Sequence, residues 1–217
     1  MKVGIIGYGK MGKAVERVAL EMGHSVSFGL DSLVDVFIDF TEPAAVIKTA
    51  LALKLRKIPW VVGTTGWNQE EVLQIAQEGG IPLLYGPNFS VGMAFFSYLA
   101  KIGEKLMGAS FAKSGIDTHH GEKKDAPSGT ALKLMKEIPG LSFKSIRKGD
   151  QVGTHQLFFD NLDDQIELTH RAKNRDGFAR GAILGGKWLI GKKGIYTFDD
   201  YMEERFSCHF QERLLPL

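Results

Sequence analysis

The chain contains one cysteine, Cys208, which excludes an internal disulfide and a cysteine-ligated metal centre. It also lacks a dominant sign of charge. Its 27 lysines and arginines stand against 25 aspartates and glutamates, a formal net charge of +2, so it carries no electrostatic footprint for nucleic acid. No apolar run approaches the ~20 residues that cross a bilayer, and no membrane partner is expected. Nothing reads as an export signal, because Val3 already belongs to the first strand; a cytoplasmic location is the expectation. Internal repeats and low-complexity tracts are absent. What remains is a globular composition, 44% hydrophobic and 24% charged, over 217 residues. That length can bury a proper core in one large domain or two small ones.

The first ninety residues repeat strand, turn and helix. Residues 2–6 form a short apolar strand that runs into Gly7-Tyr8-Gly9-Lys10-Met11-Gly12, and residues 13–22 have helical periodicity. Strand, GxGxxG and helix in this order make the dinucleotide-binding fingerprint. Gly7 permits the tight turn, Gly9 lets a pyrophosphate approach the backbone, and Gly12 lets the helix pack on the sheet. Asp31 follows the next apolar run, at the place of an acid that binds the adenosine ribose. Asp31 favours NADH, whereas Lys10 in the glycine loop could reach the 2′-phosphate of NADPH. The expected cofactors are therefore NADH and/or NADPH. Further strands are expected at 36–40, 60–62 and 81–85, and helices from Pro43 to about Arg56 and over 69–77, the latter capped by Asn68. Such alternation gives a parallel sheet with helices on both faces. Ligands bind beyond the carboxyl ends of its strands. Gly63-Thr64-Thr65-Gly66 and Gly86-Pro87-Asn88-Phe89 stand at two of those ends.

The rhythm changes near Ser90. Residues 91–107 read as one long helix, and 114–118 as a strand. Residues 143–147, 153–159 and 165–170 alternate like strands of a mixed or antiparallel sheet, with 160–164 as a hairpin connection. Residues 174–177 read as a turn before a helix at about 178–190. The expected fold class is α/β: a Rossmann-like doubly wound parallel sheet plus a smaller α+β domain.

The densest chemistry lies in His119-His120-Gly-Glu-Lys123-Lys-Asp-Ala-Pro-Ser128-Gly129-Thr130. Ser128 can cap a helix that continues through good helix formers. The backbone N–H groups of Gly129 and Thr130, at the positive end of the helix dipole, suit a carboxylate or phosphate. Lys123 adds a cation, and His119 and His120 add imidazoles, a side-chain type able to give or take a proton near neutral pH. This is an anion-seeking site with acid–base capacity. Adjacent histidines on an extended segment point to opposite sides. With no His-x-x-x-His, no cysteine pair and no dense carboxylate cluster, no metal site is expected. His155 and His170, in expected strands, read as structural histidines. Ser128 lacks the glycine-flanked elbow of a nucleophile and reads as a cap. Lys124, Lys133, Lys136, Lys144, Arg147 and Lys148 suit a small anionic substrate, and the later lysines equally suit a solvated face.

Taken together, the glycine loop, Phe37-Ile-Asp-Phe-Thr41, Gly63-Thr-Thr-Gly66, Pro87-Asn-Phe-Ser-Val-Gly92, the segment from His119 to Ala131, Glu167-Leu-Thr-His170 and Phe178-Ala179 carry a family resemblance. The chain resembles the 4-hydroxy-tetrahydrodipicolinate reductases (dihydrodipicolinate reductases) over residues 1 to about 202. The resemblance implies NAD(P)H-dependent reduction of a cyclic dicarboxylate, with loss of water, on the route to diaminopimelate and lysine. It implies acid–base roles for His119 and Lys123 and substrate binding by His120, Gly129 and Thr130. It implies a dinucleotide site of Gly7, Tyr8, Gly9, Lys10, Met11, Gly12, Asp31, Gly63, Thr64, Thr65, Gly86, Pro87, Asn88 and Phe89. It further implies a dinucleotide-binding domain of residues 1–89 with 180–217, a substrate-binding and oligomerisation domain of 90–179, and a homotetramer. Two alternatives stay open: a nicotinamide-dependent reductase of another imine or keto acid, and a non-enzymatic dinucleotide sensor, for which the His119/Lys123 pair would be superfluous.

Overall fold

The computed structural model describes residues 1–31, 33–123 and 125–211. Lys124, the Cys208 side chain and residues 212–217 lie outside the described residues. The chain divides into two compact units, one of Met1–Ser90 with the chain from Phe178 onward, the other Val91–Gly177.

The first unit opens with β1 (Lys2–Ile6), α1 (Lys10–Glu21), β2 (Ser25–Phe28), β3 (Val36–Asp39), α2 (Pro43–Leu53), β4 (Trp60–Val62), α3 (Gln69–Gly79) and β5 (Leu83–Tyr85). In the second unit follow α4 (Val91–Met107), β6 (Ala112–His119), α5 (Gly129–Glu137), β7 (Ser142–Arg147), β8 (Gly153–Asp160) and β9 (Gln165–Ala172). The chain then supplies α6 (Asp176–Leu189), β10 (Ile195–Thr197) and α7 (Phe198–Gln211).

Six strands form the first sheet in the order β10-β5-β4-β3-β1-β2, and every pairing in it is parallel. Strand order reverses direction between β3 and β1, which is the switch point where such sheets take ligands. Both faces are covered, so the strands are continuous apolar runs and not alternating ones. Phe37, Trp60, Val62 and Leu83 face α2 and α3, packing with Val46, Ala50, Leu53, Val72 and Ala76. The opposite face takes α6: a methyl group added at Gly186 would lie 3.2 Å from Val36 and 3.4 Å from Val61, and one at Gly185 would lie 2.5 Å from Leu84. Those two glycines let α6 seat directly on the sheet. Trp60 is 0% exposed, and its truncation to alanine would cost about 3–5 kcal/mol.

The expected strand at 81–85 begins only at Leu83. Proline has no N–H to donate, and Pro82 contributes only its carbonyl, which accepts from the Trp60 N–H at 2.8 Å. The helix expected to reach about Arg56 ends at Leu53, before Lys57 with a φ of 52°. The helix expected at about 178 begins at Asp176, where the Asn174 side chain accepts from the Asp176 N–H at 3.0 Å. No helix among the described residues is long and apolar enough to cross a membrane.

In the second unit four strands run in the order β7-β6-β8-β9. β6 pairs parallel with β7 and antiparallel with β8, and β8 pairs antiparallel with β9. The sheet is therefore mixed. Leu157 and Phe159 on β8 are fully buried and pack with Met93, Phe96 and Ala100 of α4 and Leu134 of α5. Side chains alternate across a strand, so His155 shares this helix-covered face. The register places Asp117 opposite His155, and His155 opposite His170. A polar row thus crosses three strands at one end of an apolar core.

Candidate active site

In the first unit the carboxyl ends of the parallel strands carry the expected loops. Gly7 adopts φ +85°, and a Cβ there would come within 2.4 Å of the Phe40 carbonyl oxygen. A Cβ on Gly12 would fall 2.0 Å from the Gly7 carbonyl oxygen, so only glycine lets α1 start this close to the turn. A Cβ on Gly9 meets nothing within 4 Å, which leaves its backbone open to an approaching group. Tyr8 is exposed, donates to Glu16 at 2.5 Å and packs edge-on against Phe28 at 5.0 Å. Its hydrogen bond to Glu16 raises the phenol pKa. Lys10 and Asp31 are exposed, in the first turn of α1 and the turn after β2. Met11 is half-buried.

Two further loops follow β4 and β5. Thr65 and Pro87 are exposed, Gly63 and Asn88 half-buried, and Gly86 buried. Asn88 accepts from the Ser90 N–H at 2.8 Å. Phe89 is 1% exposed and packs on Phe40 and Phe198 at 6.2 and 4.7 Å, so its ring supports the loop and does not face outward. Thr64 is held from beneath. Its hydroxyl accepts from the Thr41 N–H at 2.8 Å, and the Thr41 hydroxyl donates to Asp39 at 2.7 Å. Asp39 ends β3 and is 0% exposed. Burial pushes its carboxyl up, against hydrogen bonds from Thr41 that pull it down. Asp39 was not singled out from sequence, although an acid closing an apolar strand was a visible signal.

In the second unit β6 delivers His119 as its last residue, 7% exposed. His120 is half-buried and its N–H donates to the Gln151 carbonyl at 2.9 Å. The two rings differ in surroundings, as alternation along a strand requires. The segment turns back through Lys123, whose N–H donates to the His120 carbonyl at 3.2 Å. Ser128 caps α5 by accepting from the Ala131 N–H at 3.3 Å. Gly129 is exposed and Thr130 half-buried, in the first turn of α5. Lys123 Nζ lies 2.7 Å from Asp125 Oδ1. That lysine first, with the Gly129 backbone N–H among the further donors, lowers the Asp125 carboxyl. An exposed carboxylate therefore already sits where Lys123 and the start of α5 converge.

A second carboxylate lies beneath. Asp117, 0% exposed, accepts from the Ser128 N–H at 2.9 Å and from Arg147 at 3.1 Å through one oxygen. Its other oxygen is 3.0 Å from His119 Nδ1 and 3.3 Å from His155 Nε2. These two approaches are off the ring N–H axes, so they act mainly through charge. Burial alone would push this carboxyl up. The imidazoles of His119 and His155 and the hydrogen bond from Ser128 outweigh it and hold Asp117 well below the usual carboxylate range. His170 ends the row. Burial, and then nearby His155, push it down to about 4, which keeps it neutral at neutral pH.

Asp117, His119 and His155 offer ligand atoms within 4.8 Å of one another, a convergence not foreseen when no metal was expected. The Arg147 guanidinium already neutralises the same carboxylate, and it also donates to the backbone carbonyls of Asp117, Ile146 and Asp125. A fixed cation at that distance opposes a divalent ion, so the donor set suits a proton-handling network better than a metal. Arg147 is thus part of the site's support, not a free surface charge. Asp117, Arg147 and His155 come together only through strand register, which no local pattern reveals.

Comparison with known proteins agrees along most of the chain. Residues 26–89 match the family model for dihydrodipicolinate reductase, N-terminus, and residues 92–202 match that for dihydrodipicolinate reductase, C-terminus. A 4-hydroxy-tetrahydrodipicolinate reductase of Christiangramia forsetii is 32% identical, over 95% of this chain and 100% of that one. One from Archaeoglobus fulgidus is 36% identical, over 78% of this chain and 76% of that one. Among solved structures, a dipicolinate-bound dihydrodipicolinate reductase from Paenisporosarcina sp. TG-14 superposes with a TM-score of 0.75 over 92% of this chain and 98% of its own. Its sequence is 22% identical, so this likeness speaks for the fold.

Proposed function

From the premise that the chain belongs to the dihydrodipicolinate reductase family, we propose that it reduces 4-hydroxy-tetrahydrodipicolinate to tetrahydrodipicolinate in diaminopimelate and lysine biosynthesis. The chain is an NAD(P)-dependent oxidoreductase. The reaction consumes substrate, NAD(P)H and a proton, and releases tetrahydrodipicolinate, NAD(P)⁺ and water. The nicotinamide, when bound, supplies the hydride. The chain's own residues bind, orient and move the proton.

One observation carries the assignment of roles: His119 and the start of α5 hang on the same buried carboxylate, Asp117. One substrate carboxylate takes the place that Asp125 occupies against Lys123 and the Gly129 N–H, with Thr130 and His120 as further donors. Loss of the hydroxyl as water would leave a C=C conjugated with the ring C=N, and a hydride from a bound nicotinamide would then send electron density to the ring nitrogen. His119 and Lys123 supply the proton there, and a positioned acid accelerates such a step by ~100- to 10,000-fold. Asp117 holds the His119 ring in place and balances its charge.

The loops Gly7–Gly12, Gly63–Thr65 and Gly86–Phe89, with Asp31, hold the dinucleotide. Gly9 provides the close approach, Gly12 lets α1 start against the turn, and Asp39 with Thr41 keeps Thr64 in place. Asp31 opposes a 2′-phosphate and Lys10 attracts one. Both NADH and NADPH therefore serve, within about 100-fold, or ~2.8 kcal/mol. The second unit binds substrate and builds a homotetramer, and the protein works in the cytoplasm. A coupled assay that follows NAD(P)H absorbance with freshly generated substrate tests the reaction. Turnover of that substrate well above simple 2-oxo acids is expected. Preference for a 2-oxo acid would make this a reductase of another class.

A further inference from the structure

We propose that His155 is a positioning residue, which ties the acid–base histidine His119 to the anion-holding end of α5 through Asp117 and Ser128. The inference rests on the reductase reading above, because it takes His119 as the proton donor.

The geometry is that of a bridge. His155 Nε2 lies 3.2 Å from Ser128 Oγ and 3.3 Å from Asp117 Oδ1. Both oxygens already serve the site: Ser128 Oγ caps α5 through Ala131, and Asp117 Oδ1 faces His119 Nδ1. The ring is 5% exposed, and it stands edge-on to the His119 ring at 5.3 Å between centroids. Its other nitrogen, Nδ1, is buried without a hydrogen-bond partner among the described residues. Nε2 is thus the nitrogen through which the ring acts, hydrogen-bonded to the Ser128 hydroxyl with the Asp117 carboxylate beside it.

This arrangement is not a nucleophilic triad. In a triad the acid and the hydroxyl bind opposite ring nitrogens. Here both sit at Nε2, so His155 cannot take the serine proton while leaning on the aspartate. A ring hydrogen-bonded to the helix cap and held against the carboxylate instead fixes their relative positions. It also draws some of the Asp117 charge away from His119. The charged and titratable groups that face His155 are Asp117 and His119 on β6, Arg147 on β7 through Asp117, and His170 on β9, neutral at working pH.

The test uses two variants of the full enzyme. His155→Leu removes the donor. His155→Gln restores an amide N–H at the place of Nε2. His155→Leu should lower kcat at least tenfold, with the KM for the nicotinamide unchanged. It should also move the acid-step limb of the kcat–pH profile upward, because Asp117 then acts on His119 alone. His155→Gln should recover most of kcat and return the limb. Imidazole ¹⁵N shifts give an activity-independent readout: the His119 Nδ1–H tautomer should dominate in wild type and His155→Gln and become mixed in His155→Leu. Wild-type turnover with an unmoved limb and an unchanged His119 tautomer in His155→Leu would overturn the proposal. So would loss of activity that His155→Gln fails to recover. If wild type itself turns over no substrate, the reductase reading fails instead, and the ¹⁵N comparison still decides whether His155 holds Asp117 and His119.

Discussion

Replacing Asp117 by asparagine should cost both stability and turnover. Asparagine keeps the volume and one acceptor oxygen but removes the charge that His119, His155, Ser128 and Arg147 converge on. The Arg147 side chain is 17% exposed, so its guanidinium cannot simply return to water. Removing one member of a buried pair costs about 3–5 kcal/mol. Three backbone carbonyls still accept from Arg147, which places the loss near the lower end, about 3 kcal/mol. Urea unfolding at pH 7 should show it as a lower midpoint at unchanged slope. Circular dichroism is the better probe, because Trp60, Trp67 and Trp188 all lie in the other unit. The sign of the pH dependence follows from the depressed carboxyl. Its contribution is complete above the unfolded value of ~3.9 and declines as pH falls below it. The gap between wild type and Asp117→Asn should therefore narrow from pH 4 downward. A loss under ~1 kcal/mol at pH 7, or a gap that stays constant into acid, would refute the reasoning.

Three other outcomes are expected. Pyridine-2,6-dicarboxylate cannot accept the hydride yet presents two carboxylates, so it should compete with substrate; Thr130→Val should weaken that inhibition by about 1.5–3 kcal/mol, and unchanged inhibition would put the anion site elsewhere. Lys10→Ala should lower kcat/KM for NADPH more than for NADH and Asp31→Ala the reverse; equal effects on both would mean that the adenosine pocket is misplaced. Exhaustive treatment with a chelator should leave kcat unchanged, because Arg147 already neutralises Asp117; activity lost on chelation and restored by a divalent ion would assign Asp117, His119 and His155 to a metal instead.

Where local pattern decides structure, the sequence was readable. The β1–glycine–α1 entry, the Asn68 and Ser128 caps and the 160–164 hairpin each depend on a few neighbouring residues. β10 has only three residues and no periodicity; its strand geometry comes from pairing with β5. The same division runs through the candidate site. His119 to Thr130 is one contiguous stretch, and a helix start beside histidines and a lysine states its own chemistry. Asp117, Arg147, His155 and His170 lie on four different strands and meet through register. Register follows from burying Leu157 and Phe159 on the right face, a property of the whole sheet. An acid two residues before His119, and so on the same face of the strand, was the one local hint.

The most direct test is steady-state kinetics of Lys123→Ala and His119→Gln on freshly generated 4-hydroxy-tetrahydrodipicolinate. If these two residues deliver the proton, kcat falls at least tenfold in each, in line with the ~100-fold lower bound for a positioned acid, while nicotinamide affinity barely changes. Near-normal kcat in both variants would contradict the account.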